Sequence, residues 1–240
     1  MKGSILFALG AALVTSCSEQ HGPLTAMKPA PPPAGAISMP PDEPGLLRYG
    51  GRATAVSITL RGNRTMFVDA GPLPEGGGAE QKSLVSASLS RVISASALHA
   101  TTTGENAVVR SEASVGGLAI TVDGNTIGAD AVRARAEARH ANGIADVRGS
   151  SEFTRLVING SAVPVSGAPN QVVPIVGGRV ILNEQTSDSS GDITVHALHL
   201  IDRGVAEIII SSAHAARRGS GRAVPFAGDH RPVLPWRSRY

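Results

Sequence analysis

The feature that most constrains the fold is an alternation of apolar and polar residues that is interrupted by tight-turn signals. Residues 53–60 place their aliphatic side chains on one face at a period of two, which is the period of a β-strand. Residues 118–122 follow the same pattern and run into Asp123-Gly124, a dipeptide typical of hairpin turns. Comparable strand-and-turn segments follow at 156–160, 172–182 and 193–212. Serial hairpins of this kind predict an all-β chain.

The core expected from this sequence consists of small aliphatic side chains. The 240 residues include one Trp, two Tyr and four Phe, so alanine, valine, isoleucine and leucine supply most of the apolar content. Such side chains suit two sheets that pack closely face to face. We therefore predict a single antiparallel β-sandwich over residues 46–214. A partly closed β-barrel is the alternative, because hairpins alone do not reveal the strand order.

One segment, residues 129–140, is compatible with two kinds of secondary structure. It is rich in alanine, arginine and glutamate, which are good helix formers. It also alternates, since Ala134, Ala136 and Ala138 lie between charged residues. Segments with strand patterns flank it on both sides. We favour a strand with one face of small residues and one charged face.

The amino terminus carries a separate pattern. Lys2 precedes an apolar run over residues 5–14, and small residues then lead to Cys17. This order is that of a secretory signal peptide, and the run is too short for a membrane-spanning helix. We predict that residues 1–16 form the signal peptide. Cys17 is the only cysteine of the chain, so an intrachain disulfide is excluded.

The four residues Val14-Thr15-Ser16-Cys17 resemble the bacterial lipobox. The resemblance implies cleavage before Cys17, a diacylglycerol on its thiol and acylation of the new amino terminus. Several acyl chains on one residue anchor a protein far more firmly than a single chain does. The sequence thus predicts an exported protein anchored in the bacterial envelope. Ser18 stands where aspartate would hold an enterobacterial lipoprotein in the inner membrane, so we favour the outer membrane if the organism has one.

Two polar segments flank the predicted domain. Residues 17–45 are rich in proline and small polar residues, a composition that favours an extended, disordered tether between anchor and domain. Residues 215–240 contain six arginines and one aspartate. We interpret this segment as a solvated, disordered tail, with contact to anionic head groups as the alternative. Nucleic acid is not an expected partner, because aromatic stacking platforms are scarce and the protein is predicted to be exported.

Several short motifs together resemble one known family. In chain order they are Ala129-Asp130-Ala131-Val132-Arg133, Asn159-Gly160, Ala168-Pro169-Asn170, Leu182-Asn183-Glu184-Gln185, Ala197-Leu198-His199 and Ser212-Ala213-His214. The ordered set spans residues 116–214 and is similar to the choice-of-anchor P family of exported, β-rich bacterial domains. The resemblance implies variable anchoring but no activity, cofactor or catalytic residue. Relatives carry cysteine after the final histidine, where this chain has Ala215, so any role of that cysteine is absent here.

The weak candidate cluster for chemistry consists of Glu184, His199 and His214. His196 and His199 lie three residues apart on one predicted strand, so they face opposite sides unless a bulge intervenes. If the hairpin turns near residues 203–204, His199 faces the region of Ile208 and His214 pairs back near Ile193. That arrangement separates the imidazoles, and a zinc site needs three or four converging ligands. We therefore predict no metal site.

The motif search supports no enzymatic reaction. The chain contains no Gly-x-Ser-x-Gly elbow, no His-Glu-x-x-His and no phosphate-binding glycine loop. We predict a lipid-anchored structural or interaction module without a cofactor, whose envelope partner is unknown. The alternatives are a hydrolase of envelope polymers, acting through Glu184, His199 and His214, and a carbohydrate-binding module. The scarcity of aromatic residues argues against the carbohydrate-binding module.

Overall fold

The computed structural model describes residues 48–218, except for 142–143, 203 and 205. The predicted signal peptide, Cys17 and the tether at 17–45 lie outside the described residues, as does the tail beyond Arg218. Thirteen strands lie within the described part of the chain. They are β1 (Arg48–Leu60), β2 (Asn63–Ala70), β3 (Gly78–Leu89), β4 (Ile93–Glu105), β5 (Val108–Val122), β6 (Asn125–Ala141), β7 (Ile144–Thr154), β8 (Val157–Ile158), β9 (Ser161–Ala162), β10 (Gln171–Ile175), β11 (Gly178–Ser187), β12 (Asp192–Asp202) and β13 (Ala206–Arg218).

The strands form two antiparallel sheets. Sheet A has six strands in the order β10-β11-β12-β13-β1-β2. Sheet B has seven, in the order β3-β4-β5-β6-β8-β9, and β7 pairs with the same edge of β6 as β8. The sheets do not close into a barrel, so the predicted all-β sandwich of serial hairpins is confirmed. One long-range pairing completes sheet A, where β1 lies beside β13.

The ambiguous segment at 129–140 is a strand. It forms most of β6, whose residues Val132, Ala134, Ala136 and Ala138 are all buried. The alternate residues carry the charges and face solvent on the outer side of sheet B. Neighbouring strands on both sides complete the hydrogen-bonded ladder and override the helix propensity of alanine.

The final strand extends four residues beyond the predicted domain end at residue 214. Ala215 and Ala216 are buried, and Arg217 is only 2% exposed. The guanidinium of Arg217 lies over the ring of Tyr49, with 3.7 Å between its Cζ atom and the ring centroid. The predicted tail at 215–240 therefore begins too early, because the inward-facing pattern continues and the arginine packs on an aromatic ring.

The core lies between the sheets and differs along the strands. At the end of the sandwich where Arg48 lies opposite Arg218, small side chains fill the core, including Ala53, Ala113, Ala136, Ala213 and Ala215. Toward the other end, branched side chains replace them, including Ile58, Ile120, Leu198, Leu200 and Ile208. Two buried hydroxyls tie the sheets together: Ser211 donates to the carbonyl of Val132 (3.0 Å), and Ser111 donates to that of His214 (2.6 Å).

In each sheet, the alternation between inward and outward side chains reverses along one line that crosses the strands, which we call the reversal line. In β13, for example, Ile208 and Ile210 point inward, and Ser211 and Ala213 then continue the buried series one residue out of phase. Ser211 has a left-handed backbone with φ of 54°, which turns consecutive side chains to the same face. The positions skipped by the ladder of sheet A are Val68, Ala55, Ser211, Ala197 and Asn183. The equivalent positions in sheet B are Val85, Ala97, Gly117, Asp130 and Arg155.

Candidate functional site

The reversal line of sheet A brings two histidines together on its outer face. Ala197 and Leu198 are both fully buried, so the residues on either side of them, His196 and His199, both project outward. Their ring centroids are 5.8 Å apart and the rings meet edge to face, at 76°. The prediction that these histidines face opposite sides is therefore wrong. Strict alternation does not hold across the reversal line.

His199 lies between two carboxylates from the neighbouring strands. Its Nδ1 atom is 2.7 Å from an oxygen of Glu184 in β11, and its Nε2 atom is 3.1 Å from an oxygen of Glu207 in β13. His199 lies directly opposite Ile181 and Ile209 and is 9% exposed. It therefore faces the region of Ile208, as the hairpin pattern predicts. The three polar side chains form what we call the imidazole–carboxylate cluster.

The contacts of His199 limit what the imidazole–carboxylate cluster can do chemically. Both ring nitrogens of His199 are occupied by carboxylate oxygens. Such a ring has no free nitrogen with which to take a proton from a substrate. The arrangement holds two carboxylates against one imidazole ring on a partly apolar surface.

His196 has a different environment from its neighbour. Its Nδ1 atom is 3.0 Å from the hydroxyl of Ser212 in β13. Burial lowers the pKa of His196 below its ordinary value, and the nearby carboxylate of Glu184 offsets part of this effect. The positive charge of a protonated His199 adds to the lowering. His196 therefore favours its neutral form.

The structure places His214 next to this group. It lies opposite Thr194 in β12 and Arg52 in β1, so it pairs back near Ile193, as predicted. Ser212, the partner of His196, is two positions away along the same strand, which corresponds to about 7 Å. Of the three predicted residues, Glu184 and His199 are thus in contact and His214 lies beyond Ser212. Among the described residues, no group of three or more histidine, cysteine, aspartate or glutamate side chains could hold a metal ion.

A second polar surface covers the outer face of sheet B. Four rows of directly opposed residues cross β4 to β7 in the half of the sandwich that contains Arg48 and Arg218. From the strand ends inward, the rows are Glu105-Val108-Arg139-Asp146, Thr103-Arg110-Glu137-Arg148, Thr101-Glu112-Arg135-Ser150 and His99-Ser114-Arg133-Glu152. Acidic and basic residues are interspersed across these rows. We call this arrangement the charge lattice.

Ion pairs link the strands of the charge lattice. Glu137 accepts a hydrogen bond from Arg110 at 2.7 Å and another from Arg139. Arg135 donates to Glu112 at 2.8 Å and to Glu152 at 2.7 Å. The two arginines hold the pKa of Glu137 below its ordinary value, so it stays ionised in mild acid. The arginine side chains of the lattice are all at least 40% exposed, so water screens these pairs strongly.

The charge lattice forms the floor and walls of an open groove with a volume of about 630 Å³. This volume falls within the range of about 300–1,000 Å³ that is typical of ligand sites. Its lining residues are Thr101, Thr103, Arg110, Ser111, Glu112, Arg135, Ala136, Glu137, Arg139, Arg148, Gly149 and Ser150. The groove thus offers guanidinium donors, carboxylate acceptors and hydroxyl groups side by side.

The sequence alone predicts only part of these two sites. The charged face of β6 was expected, but its partners on β5 and β7 were not identified. Their signal lies in the order of the charges. Arg110 precedes Glu112 on β5, and Arg135 precedes Glu137 on β6 in the same order. Antiparallel pairing of two such strands places opposite charges face to face. Glu207 was also missed, because its contact with His199 depends on the exact hairpin register.

Comparisons with known proteins gave no match to a family model, a curated protein or a solved structure. Membership of the choice-of-anchor P family therefore stays a prediction. None of the described residues belongs to a helix long and apolar enough to cross a membrane.

Proposed function

We propose that this protein is a lipid-anchored interaction module of the bacterial envelope, held in the membrane through Cys17. The observation that carries this proposal is the position of the two ends of the domain. Arg48, at the start of β1, lies directly opposite Arg218, at the end of β13. The described part of the chain therefore enters and leaves the sandwich at the same end, which suits attachment through one anchored terminus.

The groove lined by the charge lattice, which we call the lattice groove, is the surface that best fits an interaction role. It is open, polar and located on rigid strands, which position side chains more precisely than loops do. We place the partner of the module there. The imidazole–carboxylate cluster is more enclosed, and its histidine is already saturated by two carboxylates. We assign this cluster a structural role and do not propose the hydrolase alternative.

The remaining parts of the chain fit the same proposal. The proline-rich composition of residues 17–45 is suited to a spacer between membrane and domain. Residues 219–240 contain four arginines and one aspartate and follow directly on β13, next to the start of β1. A basic segment that leaves the domain beside the tether is well placed to meet anionic head groups. The outer membrane remains the favoured location if the organism has one.

The anchor is tested by replacing Cys17 with serine and fractionating cells that express either form. We expect the unaltered protein in the membrane fraction, released only by detergent, and Cys17→Ser in the soluble fraction or retained as an uncleaved precursor. Inhibition of the lipoprotein signal peptidase should make the precursor of the unaltered protein accumulate. Ser18→Ala serves as the matched control and should fractionate like the unaltered protein. Soluble unaltered protein, with no precursor under inhibition, would contradict the proposal.

A further inference from the structure

We propose that the lattice groove binds a polysaccharide chain that carries carboxylate groups. This inference names the ligand class of the interaction module and rests on the function proposed above. The scarcity of aromatic platforms in the sequence argues against carbohydrate binding by stacking. The groove supplies a different recognition chemistry, which depends on arginine and hydroxyl groups.

The arginines of the groove retain donors for a ligand. Among the described residues, the hydrogen bonds of Arg110 and Arg139 use only their Nε atoms, and both go to Glu137. A guanidinium has five N–H donors in a planar fork, so each of these side chains still presents its terminal nitrogens. A ligand carboxylate can accept two parallel hydrogen bonds from such a fork. Arg110, Arg139 and Arg148 lie around Glu137, and Asp146 pairs with Arg148 at 3.2 Å. The lining of the groove itself contains four arginines and two glutamates.

The other groups of the groove match the rest of a sugar acid. Thr101, Thr103 and Ser150 contribute hydroxyls at the margins of the guanidinium rows. The carboxylates of Glu112 and Glu137 have lone pairs beyond those that the arginines use, and these can accept hydrogen bonds from sugar hydroxyls. Donors and acceptors are interspersed across the rows. A chain that combines carboxylates with many hydroxyls satisfies both kinds of group.

Shape and charge disfavour other ligands. No aromatic residue lines the groove, so a neutral sugar has no ring on which to stack. A flat anionic membrane cannot enter a concave surface. The groove spans four strands at about 4.8 Å spacing, or about 14 Å across, which suits an extended chain rather than a single small ion.

The test is calorimetric titration of the purified protein with tetragalacturonate, its full methyl ester and a glycerol phosphate oligomer. The ester retains the hydroxyls and removes the charge. We expect binding of the acid form, at least about tenfold weaker binding of the ester, and weakening by high salt. Arg110→Gln and Arg139→Gln should each raise the Kd about tenfold. Arg179→Gln, at an exposed arginine of sheet A, is the matched control and should leave the Kd unchanged.

Four results would overturn the proposal: no binding of the acid form, equal binding of acid and ester, tighter binding of the phosphate oligomer, or no effect of the two groove variants. Thermal unfolding of each variant checks that the fold is intact, and these exposed positions should leave the Tm nearly unchanged. Cell fractionation is a separate readout. An anchored protein that ignores the acid oligomer would refute the ligand class and leave the envelope anchoring intact.

Discussion

The two polar surfaces of this sandwich lie differently with respect to the reversal lines. The imidazole–carboxylate cluster spans the line of sheet A, with Glu184 on one side of it and His199 on the other. The charge lattice lies wholly on one side of the line of sheet B, where alternation is regular. In the first surface, both ring nitrogens of His199 already contact carboxylates of the same cluster. The second surface is open, and its arginines keep N–H donors for a ligand. The comparison indicates that one surface stabilises the fold and the other is available to a ligand.

The largest effect is expected from a change on the reversal line itself. Ser211→Val places a β-branched residue in a left-handed conformation and removes the buried hydrogen bond to Val132. We expect a loss of about 3 kcal/mol in the free energy of unfolding, measured with urea. Ser211→Gly removes the same hydrogen bond but tolerates the backbone, and it should cost less than half as much. Equal losses for the two variants would show that the line does not depend on this backbone conformation.

The next largest effect is a loss of stability when the imidazole–carboxylate cluster is altered, which distinguishes this cluster from the charge lattice. Glu184→Ala leaves Nδ1 of the nearly buried His199 without its partner, so we expect a loss of about 1–3 kcal/mol. Glu184→Gln retains a hydrogen-bonding group and serves as the control with a smaller loss. Unfolding in urea near neutral pH measures both. A loss no greater than that of the exposed control Glu105→Ala would mean that the cluster has no structural role.

His196, which lies beside the cluster, should also make the stability of the protein depend on pH. Since burial lowers the pKa of His196 in the folded state, the unfolded chain takes up this proton first as the pH falls below the ordinary value of 6.5. Stability contributed by neutral His196 is therefore present above that pH and declines below it. His196→Asn can keep a hydrogen bond to Ser212 without titrating, so its stability should fall less between pH 7 and pH 5. Equal slopes for both proteins would contradict this role.

The smallest effect is expected on sheet B. The pair of Arg135 and Glu152 is exposed to solvent, so a double-mutant cycle should give a coupling of about 0.2–1 kcal/mol that shrinks in high salt. Arg135→Gln and Glu152→Gln are suitable single variants because they preserve side-chain length. A coupling above about 2 kcal/mol would place this lattice in the same structural class as the cluster of sheet A.

The same comparison explains how far the sequence could predict this molecule. The sandwich, its hairpins and the two faces of β6 follow from a period of two, which the residues on each side of a reversal line obey. The side on which His199 lies could not be predicted, because no glycine or proline marks the reversal at Ala197. The left-handed residues of sheet A are Val68, Asn183 and Ser211, and a valine gives no local signal for such a conformation. Tertiary contacts impose it.

The central claim is that the charge lattice, and not the imidazole–carboxylate cluster, is the binding surface. Nitrogen-15 NMR of arginine and histidine side chains during titration with tetragalacturonate tests it most directly. The account predicts that the Nε–H signals of Arg110 and Arg139 shift progressively, while the ring signals of His196 and His199 stay unchanged. Shifts confined to the two histidines, or no shift on either surface, would contradict it.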